Sequence, residues 1–431
     1  MADRIAVIDG CRTPFQRSGT GFSDLMAWDV GRFAIQGVLA KSGVPAKEIN
    51  HVIMGIVMTD VATTNVAREA MLGAGLSDTI PAHTCTVACI SANMAITNGA
   101  AMIATGNADT VIAGGIESLS DVIIKVSKPY RKFILDLTMY KKPRGLGGKL
   151  KLLKGMKLLD FVTPERPKVG EYSTGLTMGA TAERLAKKMG ISRAEQDEYA
   201  ARSHQRAVDA AKSGRARKEI VPVVPPGSGK AVITDNGPRA DATAEKLGKL
   251  KPVFDRTNGS VTAGNSSFLT DGASAVVLMR ESKAKALGLK PLAYIKSYAY
   301  TSGDLWDELL LGPAFSIPKA LDTAGVSFKD VGVFEIHEAF ASQMLGVIRC
   351  LESDSFAKER LGKSGRVGET DMAKMNIFGG SLSLGHPFGA TGGRLVTTCC
   401  NRLRDEGAQF GLIAGCGAGA IGGAILLENA G

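Results

Sequence analysis

No run of about 18 uninterrupted apolar residues occurs in the sequence, so no membrane-spanning helix is expected. Its seven cysteines are scattered and fit neither a disulfide framework nor zinc-ligand spacing. That excludes a stapled secreted scaffold and points to a reducing compartment. The first ten residues carry no apolar signal segment and no Arg/Ser-rich transit region, so a cytoplasmic protein is the expectation. Histidine is scarce, with five in all, and any that falls at a special place therefore carries weight.

What is present suits a layered globular protein. The chain has 431 residues, 45% hydrophobic and 22% charged, enough for two or three domains or one large assembly. The 52 glycines are spread throughout, which suggests tight turns and close backbone approach rather than low complexity. The net charge of +10 is local: residues 121–160 hold eleven Lys and Arg against three Asp. Such a segment is a solvated basic face, or a surface for phosphate-bearing ligands, an acidic partner or an anionic membrane.

Apolar, β-branched runs predict strands at 5–9, 51–57, up to Cys89, and 110–116, with helices at 28–42, 65–72 and just past Cys89. The pattern breaks at 121–255, a basic, then helical (181–213), then Pro/Gly-rich stretch that reads as an insertion. It resumes with strands at 273–279, 292–300, 331–336, 376–379, 411–416 and 419–427, and helices from 317, at 340–351 and from 387. The second half repeats the first, which predicts an α/β fold of two β-α-β-α-β-α-β-β halves about a pseudo-twofold axis. The expected domains are 1–120 with 256–285, the inserted 121–255, and 286–431.

Cys89 ends one strand and opens a helix apolar on nearly every side, through Ile90, Ala92, Met94, Ala95, Ile96, Ala100 and Ile103. The helix N-terminus would lower the thiol pKa enough to populate a thiolate. The competing reading of a lone cysteine is a small buried hydrophobe. In the repeat, His386 occupies the place of Cys89, so a pseudo-dyad would bring the two helix ends together. His337, in Glu335-Ile-His-Glu-Ala-Phe340, and Cys416, in Gly415-Cys-Gly-Ala-Gly419, fall at further strand ends in glycine-rich junctions. Cys11, Cys85, Cys350 and the Cys399–Cys400 pair read as packing residues.

With these motifs in view, the sequence resembles the thiolase superfamily over essentially its whole length. The resemblance rests on Cys11-Arg-Thr-Pro-Phe15, the Cys89 segment, Ala113-Gly-Gly-Ile-Glu-Ser118, Gly259-Ser-Val-Thr-Ala-Gly-Asn265, Asp271-Gly-Ala273 and Gly385-His-Pro387. The His337-Glu-Ala-Phe340 variant, Glu171-Tyr-Ser-Thr-Gly-Leu-Thr-Met-Gly179 and the Lys-rich insertion are similar to the β-subunit of the fatty-acid oxidation trifunctional complex. The resemblance implies an αβαβα layered fold and a 3-ketoacyl-CoA thiolase of β-oxidation. Cys89 would be the acylated nucleophile, His386 its base, Cys416 the second acid/base and His337 an oxyanion donor. Backbone N–H groups at Cys89 and near Ala418 would form a second oxyanion hole.

Ser267, Ala263, Met178, Ala339, Phe340 and Arg239 match coenzyme A contacts of the family. Coenzyme A and acyl-CoA would be substrates, with no metal and no redox cofactor. The family also implies a homodimer or dimer of dimers, a hydratase/3-hydroxyacyl-CoA dehydrogenase α-subunit as partner, and peripheral membrane contact through 121–160. Three departures stand out: His337 where most thiolases have Asn, Thr177 for the family's His, and Cys416-Gly-Ala-Gly for Cys-x-Gly-Gly. A biosynthetic acetyl-CoA acetyltransferase, a condensing β-ketoacyl synthase and a non-catalytic acyl-CoA scaffold are the alternatives. Cys416 speaks against the synthase, which needs no second thiol. Gly415-x-Gly-x-Gly-x-x-Gly422 resembles a dinucleotide fingerprint, but too little chain follows it to build that unit.

Overall fold

The computed structural model describes residues 3–165 and 169–431; residues 1, 2 and 166–168 of the expected domains lie outside it. Two compact units are present: 3–121 with 170–431, and Val122–Val169.

The larger unit is built on strands β1 (Ile5–Arg12), β2 (His51–Gly55), β3 (Ala82–Cys85), β4 (Thr110–Glu117), β5 (Thr270–Arg280), β6 (Ala293–Ser302), β7 (Val331–Ile336), β8 (Phe410–Gly417) and β9 (Ile421–Asn429). They hydrogen-bond in the order β7-β8-β9-β6-β1-β5-β4-β2-β3. The halves meet at β1 and β6 through only two residue pairs, Ala6 with Tyr294 and Val7 with Ala293. The run β2-β4-β5-β1 of the N-terminal half is matched by β7-β8-β9-β6 of the C-terminal half, which has no counterpart of β3, so the sequence repeat is also a spatial one.

Helices α1 (Ala27–Ser42), α2 (Val66–Gly73), α3 (Ser91–Ala104), α4 (Met178–Lys188), α5 (Arg193–Lys212), α6 (Gly312–Ala324), α7 (Ala341–Leu351) and α8 (Thr391–Glu406) complete the layers. Alternation along the strands decides which layer each side chain joins. Val52 and Met54 pack outward with α1 and α2, while Ile53 turns inward. Leu412 likewise packs with α6 and α7, and Ile413 turns inward. The inner cluster is shared by α3 (Ala95, Ile96, Ile103) and α8 (Leu395, Val396, Cys399, Cys400, Leu403). These two helices therefore form the middle layer of an α-β-α-β-α stack. Cys399 and Cys400 are fully buried there, and the Cys11 thiol is buried and donates to Ala34 O at 3.3 Å.

Four details differ from expectation. The strand expected at 376–379 does not form. Phe334 N–H donates to Lys374 O at 3.0 Å, Asn376 N–H donates to Phe334 O at 2.9 Å, and the Asn376 side chain then bonds both main-chain groups of Ile336 at 2.8 Å. Asn376, with φ +47°, turns the chain away at that point. The helix expected over 181–213 is two helices, broken at Gly190 (φ +62°) and restarted by a Ser192/Glu195 capping box. The helix expected from 317 starts at Gly312, since Pro313 in the first turn needs no hydrogen-bond acceptor. The helix expected from 387 starts at Thr391, after a one-turn helix Ser381–Leu384.

The expected insertion at 121–255 is divided. Residues 170–255 belong to the larger unit because their polar side chains are spent on it. Ser203 and Tyr199 donate to Glu338 at 2.7 and 3.3 Å, and Arg206 donates to Met375 O and Met372 O at 2.6 and 2.7 Å. The Val122–Val169 unit has a helix Lys128–Leu135 capped by Ser127, helices Gly145–Lys151 and Leu158–Val162, and a ribbon pairing Lys125–Val126 with Pro164–Glu165. Tyr130, Phe133 and Phe161 cluster within it, while Leu146, Leu150, Leu158 and Leu159 are exposed among its lysines. Among the described residues no helix is long and apolar enough to cross a membrane.

Candidate active site

Cys89 follows β3 by a tight turn and precedes α3 by one residue. Ala88, the residue before it, sits at φ +46°, a left-handed conformation that a side chain adopts only when its surroundings enforce it. Ser91 locks the turn by accepting from Val87 N–H at 2.8 Å and donating to Ala88 O at 2.7 Å. The Cys85 thiol points at Ser91 O, 3.6 Å away, and so supports the same turn.

The N-termini of α3 and α8 meet, as the repeat implied. A Cβ on Gly392 would collide with Asn93, and one on Gly115 would strike the Gly389 backbone, so glycine at these positions is what lets the two halves touch. This contact brings His386 to Cys89. His337, past the end of β7, donates its main-chain N–H to Ala414 O at 2.8 Å. Cys89, His337 and His386 offer ligand atoms all within 4.8 Å of one another, and the two rings lie 4.1 Å apart between centroids. A Cys/His/His set of that size also has the donor chemistry of a soft metal ion. Cys416, at the end of β8, is buried and close enough to Cys89 to bear on its ionisation. Gly417 beside it approaches Val87 and Ala88.

The hydrogen bonds on the far side of each ring set its tautomer. His386 Nδ1 is 2.6 Å from Thr391 Oγ1, and that hydroxyl gives its own proton to Pro387 O at 3.1 Å. Thr391 must therefore accept Nδ1–H, and we assign His386 a bare Nε2. His337 Nδ1 is 3.0 Å from Ser381 Oγ, which already receives Arg394 Nη2–H at 3.4 Å. With no other acceptor among the described residues, the Ser381 proton goes to Nδ1, and His337 carries its hydrogen on Nε2. Both Nε2 atoms are buried and without a partner among the described residues. One ring presents a base to the cluster and the other a donor.

Burial governs the ionisation here. It pushes the Cys89 thiol up, with Cys416 and Glu117 adding to the effect and the backbone bond at Cys89 only partly opposing it. That works against the thiolate expected from the helix N-terminus, although Cys89 keeps partial exposure. Burial likewise pushes Cys416 up to about 12 and lowers His337 to about 3, helped by Arg394. His386 is lowered by burial, then by His337 and Arg394. The resting cluster is neutral throughout.

Several organising residues were not singled out from the sequence. Buried Glu117 accepts N–H from Val57, Met58 and Gly389 at 3.1, 2.9 and 2.8 Å, which ties the His386 loop to the N-terminal half. Burial pushes its carboxyl up to about 7 against those three donors. Buried Glu338 accepts from Tyr199, Ser203, Asn376 and Leu382. Glu335 pairs with Arg402 at 2.9 Å and Arg394 at 3.5 Å, all three buried. Glu171 accepts Gly419 N–H at 2.8 Å and anchors the turn after Cys416. The motifs around 117, 171 and 338 were visible, but their roles depend on partners distant in sequence.

Of the expected coenzyme A contacts, three gather at the cluster. Ser267 N–H donates to Ala339 O at 2.9 Å, Ser266 bridges Phe340, and Phe268 O accepts His386 N–H at 3.1 Å. Met178 opens α4 and packs on the core that holds Ala339 and Phe340. Ala263 and Arg239 are exposed; Arg239 pairs with Asp241 at 3.3 Å.

Comparison with known proteins follows this architecture. The thiolase N-terminal domain family matches residues 5–282 and the thiolase C-terminal domain family 289–429. The human mitochondrial trifunctional enzyme subunit beta is 49% identical over 424 residues, covering 98% of this chain and 88% of that protein. A probable 3-ketoacyl-CoA thiolase of Caenorhabditis elegans is 49% identical over 425 residues, covering 98% and 94%. The crystal structure of human mitochondrial 3-ketoacyl-CoA thiolase superposes with a TM-score of 0.83 at 30% identity, covering both chains completely.

Proposed function

The chain belongs to the thiolase family, and on that premise we propose that it is a 3-ketoacyl-CoA thiolase, an acyltransferase of fatty acid β-oxidation. The observation that carries the reading is the neutral Cys89–His386–His337 cluster with opposite tautomers and a second buried thiol behind it.

The chemistry follows from that arrangement. His386 Nε2 takes the Cys89 proton, and the thiolate attacks the ketone carbon of the 3-ketoacyl-CoA. The Cα–Cβ bond breaks, leaving an acyl thioester on Cys89 and an acetyl-CoA enolate. His337 Nε2–H and the newly protonated His386 donate to the enolate oxygen, a contribution of about 3 kcal/mol per donor in such sites. The Cys416 thiol protonates the enolate carbon, and acetyl-CoA departs. Cys416 thiolate then removes the proton of incoming CoA, whose sulfur attacks the acyl group. Cys89 leaves and recovers its proton from His386. Backbone N–H groups at Cys89 and near Ala418 serve the tetrahedral oxyanions of both half-reactions. Incubation with a 3-ketoacyl-CoA and free CoA tests this: absence of thiolysis, or thiolysis intact in Cys89→Ala, refutes it.

Ser267, Ala339 and Phe340, beside the His386 loop, line the pantetheine approach, with Met178, Ala263 and Arg239 farther out. The reaction uses no metal and no redox cofactor, so chelators should leave turnover unchanged. An α-subunit partner with hydratase and dehydrogenase activities is supported by the relatives named as a beta subunit. The exposed leucines set among lysines in Val122–Val169 supply a surface for that partner or for an anionic membrane. Co-purification and liposome binding, with Lys125 to Lys157 neutralised, decide between them. A homodimer or dimer of dimers is checked by sedimentation. Seven free cysteines suit a reducing cytoplasm, checked by localising a tagged chain.

A further inference from the structure

A cavity of about 250 Å³ opens to solvent between α5, the turn Arg215–Lys218 and residues 233–238, and Cys89 is not among the residues that line it. At its buried end are three guanidinium groups, Arg12, Arg215 and Arg394, exposed by 2%, 9% and 1%. Each is only partly satisfied. Arg12 grips Asp235 with two bonds of 2.6 and 2.8 Å, and Arg215 Nη1 reaches Glu219 at 3.0 Å. Arg394 Nη1 stands 3.5 Å from Glu335, and Arg215 Nε stands 3.7 Å from Asp405, both long for hydrogen bonds. Arg12 Nε, Arg215 Nε and Nη2, and Arg394 Nε and Nη1 have no hydrogen-bond partner among the described residues. Lys212 and Arg217 add positive charge at the mouth, so five cationic side chains line the cavity against two carboxylates, Glu219 and Asp235.

The remaining wall is apolar, through alanines of α5, Ile220, Ile233, Phe378 and Leu384. A hydrated inorganic anion would meet charge at one end and a mostly hydrocarbon wall elsewhere, with Thr234 and Thr398 as the other polar side chains. A short aliphatic carboxylate meets both, because a guanidinium fork matches carboxylate geometry and the chain covers the apolar wall. We propose that this cavity binds a small aliphatic carboxylate on Arg215 and Arg394, and that its occupancy is felt at His337. The connection is short. Arg394 Nη2 holds Ser381 Oγ at 3.4 Å, and Ser381 holds His337 Nδ1 at 3.0 Å. A carboxylate on Arg394 competes for that donor, loosens Ser381 and removes the constraint on the His337 tautomer. Arg394 and Ser381 act here as positioning residues.

Calorimetric titration of the full-length protein with butyrate tests the site, with saturating CoA present to cover the catalytic entrance. One saturable site is expected, about tenfold or more weaker in Arg215→Gln. Inorganic phosphate should bind more weakly than butyrate. No saturable heat, or equal affinity in Arg215→Gln, overturns the site; phosphate binding as tightly overturns the carboxylate assignment. Should Arg215→Gln fail to fold, the double reversal Lys212→Glu, Arg217→Glu at the exposed mouth takes its place. It too should weaken butyrate by about tenfold, and unchanged affinity overturns the site. In thiolysis, saturating butyrate should lower kcat/KM for the ketoacyl substrate while leaving kcat/KM for CoA unchanged. An unchanged kcat/KM for the ketoacyl substrate, or an equal loss in both, overturns the link to His337. That last arm rests on the thiolase reading, whereas the calorimetry does not.

Discussion

Replacing Thr391 by valine keeps the shape of a fully buried side chain and removes one hydroxyl. In the native protein that hydroxyl accepts His386 Nδ1–H at 2.6 Å and donates to Pro387 O at 3.1 Å. Without it, a buried N–H has no acceptor, at a cost of about 1–3 kcal/mol. The ring can escape that cost by moving its proton to Nε2, which is the atom that must receive the Cys89 proton. Either outcome raises the barrier to acylation by a similar amount, or about 5- to 150-fold in kcat/KM for the ketoacyl substrate. kcat/KM for CoA should fall less, because Cys416 takes the CoA proton and His386 enters that half-reaction only to reprotonate Cys89. Stopped-flow acylation and steady-state thiolysis measure the two halves separately. Thr391→Ser restores the oxygen and should recover to within about threefold of the native rate. Native kcat/KM in Thr391→Val, or a serine variant as slow as the valine one, would refute the tautomer assignment.

Ser381→Ala should lower kcat/KM for the ketoacyl substrate by about tenfold through loss of the His337 donor while leaving kcat/KM for CoA intact; an equal loss in both would count against the assignment. Both histidines are held neutral by burial, His337 down to about 3, so acidification does not consume the base. The acid limb of kcat/KM should therefore show no histidine ionisation near pH 6.5, and a clear inflection there would contradict the burial argument. Stability carries the opposite signature. A folded-state pKa below the unfolded one means that the unfolded chain binds more protons, so stability should fall as pH drops below about 6.5, by up to about 1.4 kcal/mol per pH unit for each histidine. Denaturant melts across pH 4–7 read that slope. Glu335→Ala strands Arg402 and Arg394 in the interior and should cost about 3–5 kcal/mol in the same melts; a loss near zero would mean that the triad is not buried as described.

The residues that carry chemistry were legible because each interrupts a regular pattern. His337 and Cys416 stand at the ends of apolar strands, Cys89 in the turn between a strand and an apolar helix, and His386 and Cys416 beside glycine. The repeat was legible because apolar runs and helices recur in the same order in the two halves. Hidden from the sequence were the residues that hold these four in place. Glu117 and Gly389 are 272 positions apart, and nothing local announces that one will bind the other. The strand expected at 376–379 failed because its residues suit a strand, yet the Asn376 side chain makes the bonds that the strand backbone would have made. The limits of the insertion were blurred by composition: 170–255 is polar like its neighbour but spends those polar groups on the main body. For Cys89 a helix terminus is visible in the sequence, whereas the desolvation that pushes its thiol up depends on Cys416, Glu117 and the packing around them, which are not.

That last point has a consequence for how the enzyme survives between turnovers. Peroxides and alkylating agents react with thiolates, and the resting Cys89 is a thiol. The nucleophile becomes reactive only when a substrate brings the ketone carbon to be attacked, so its activation and its consumption coincide. A thiol held protonated at rest is thus guarded against oxidation, and the same holds for Cys416, the second sulfur on which the proposed reaction depends.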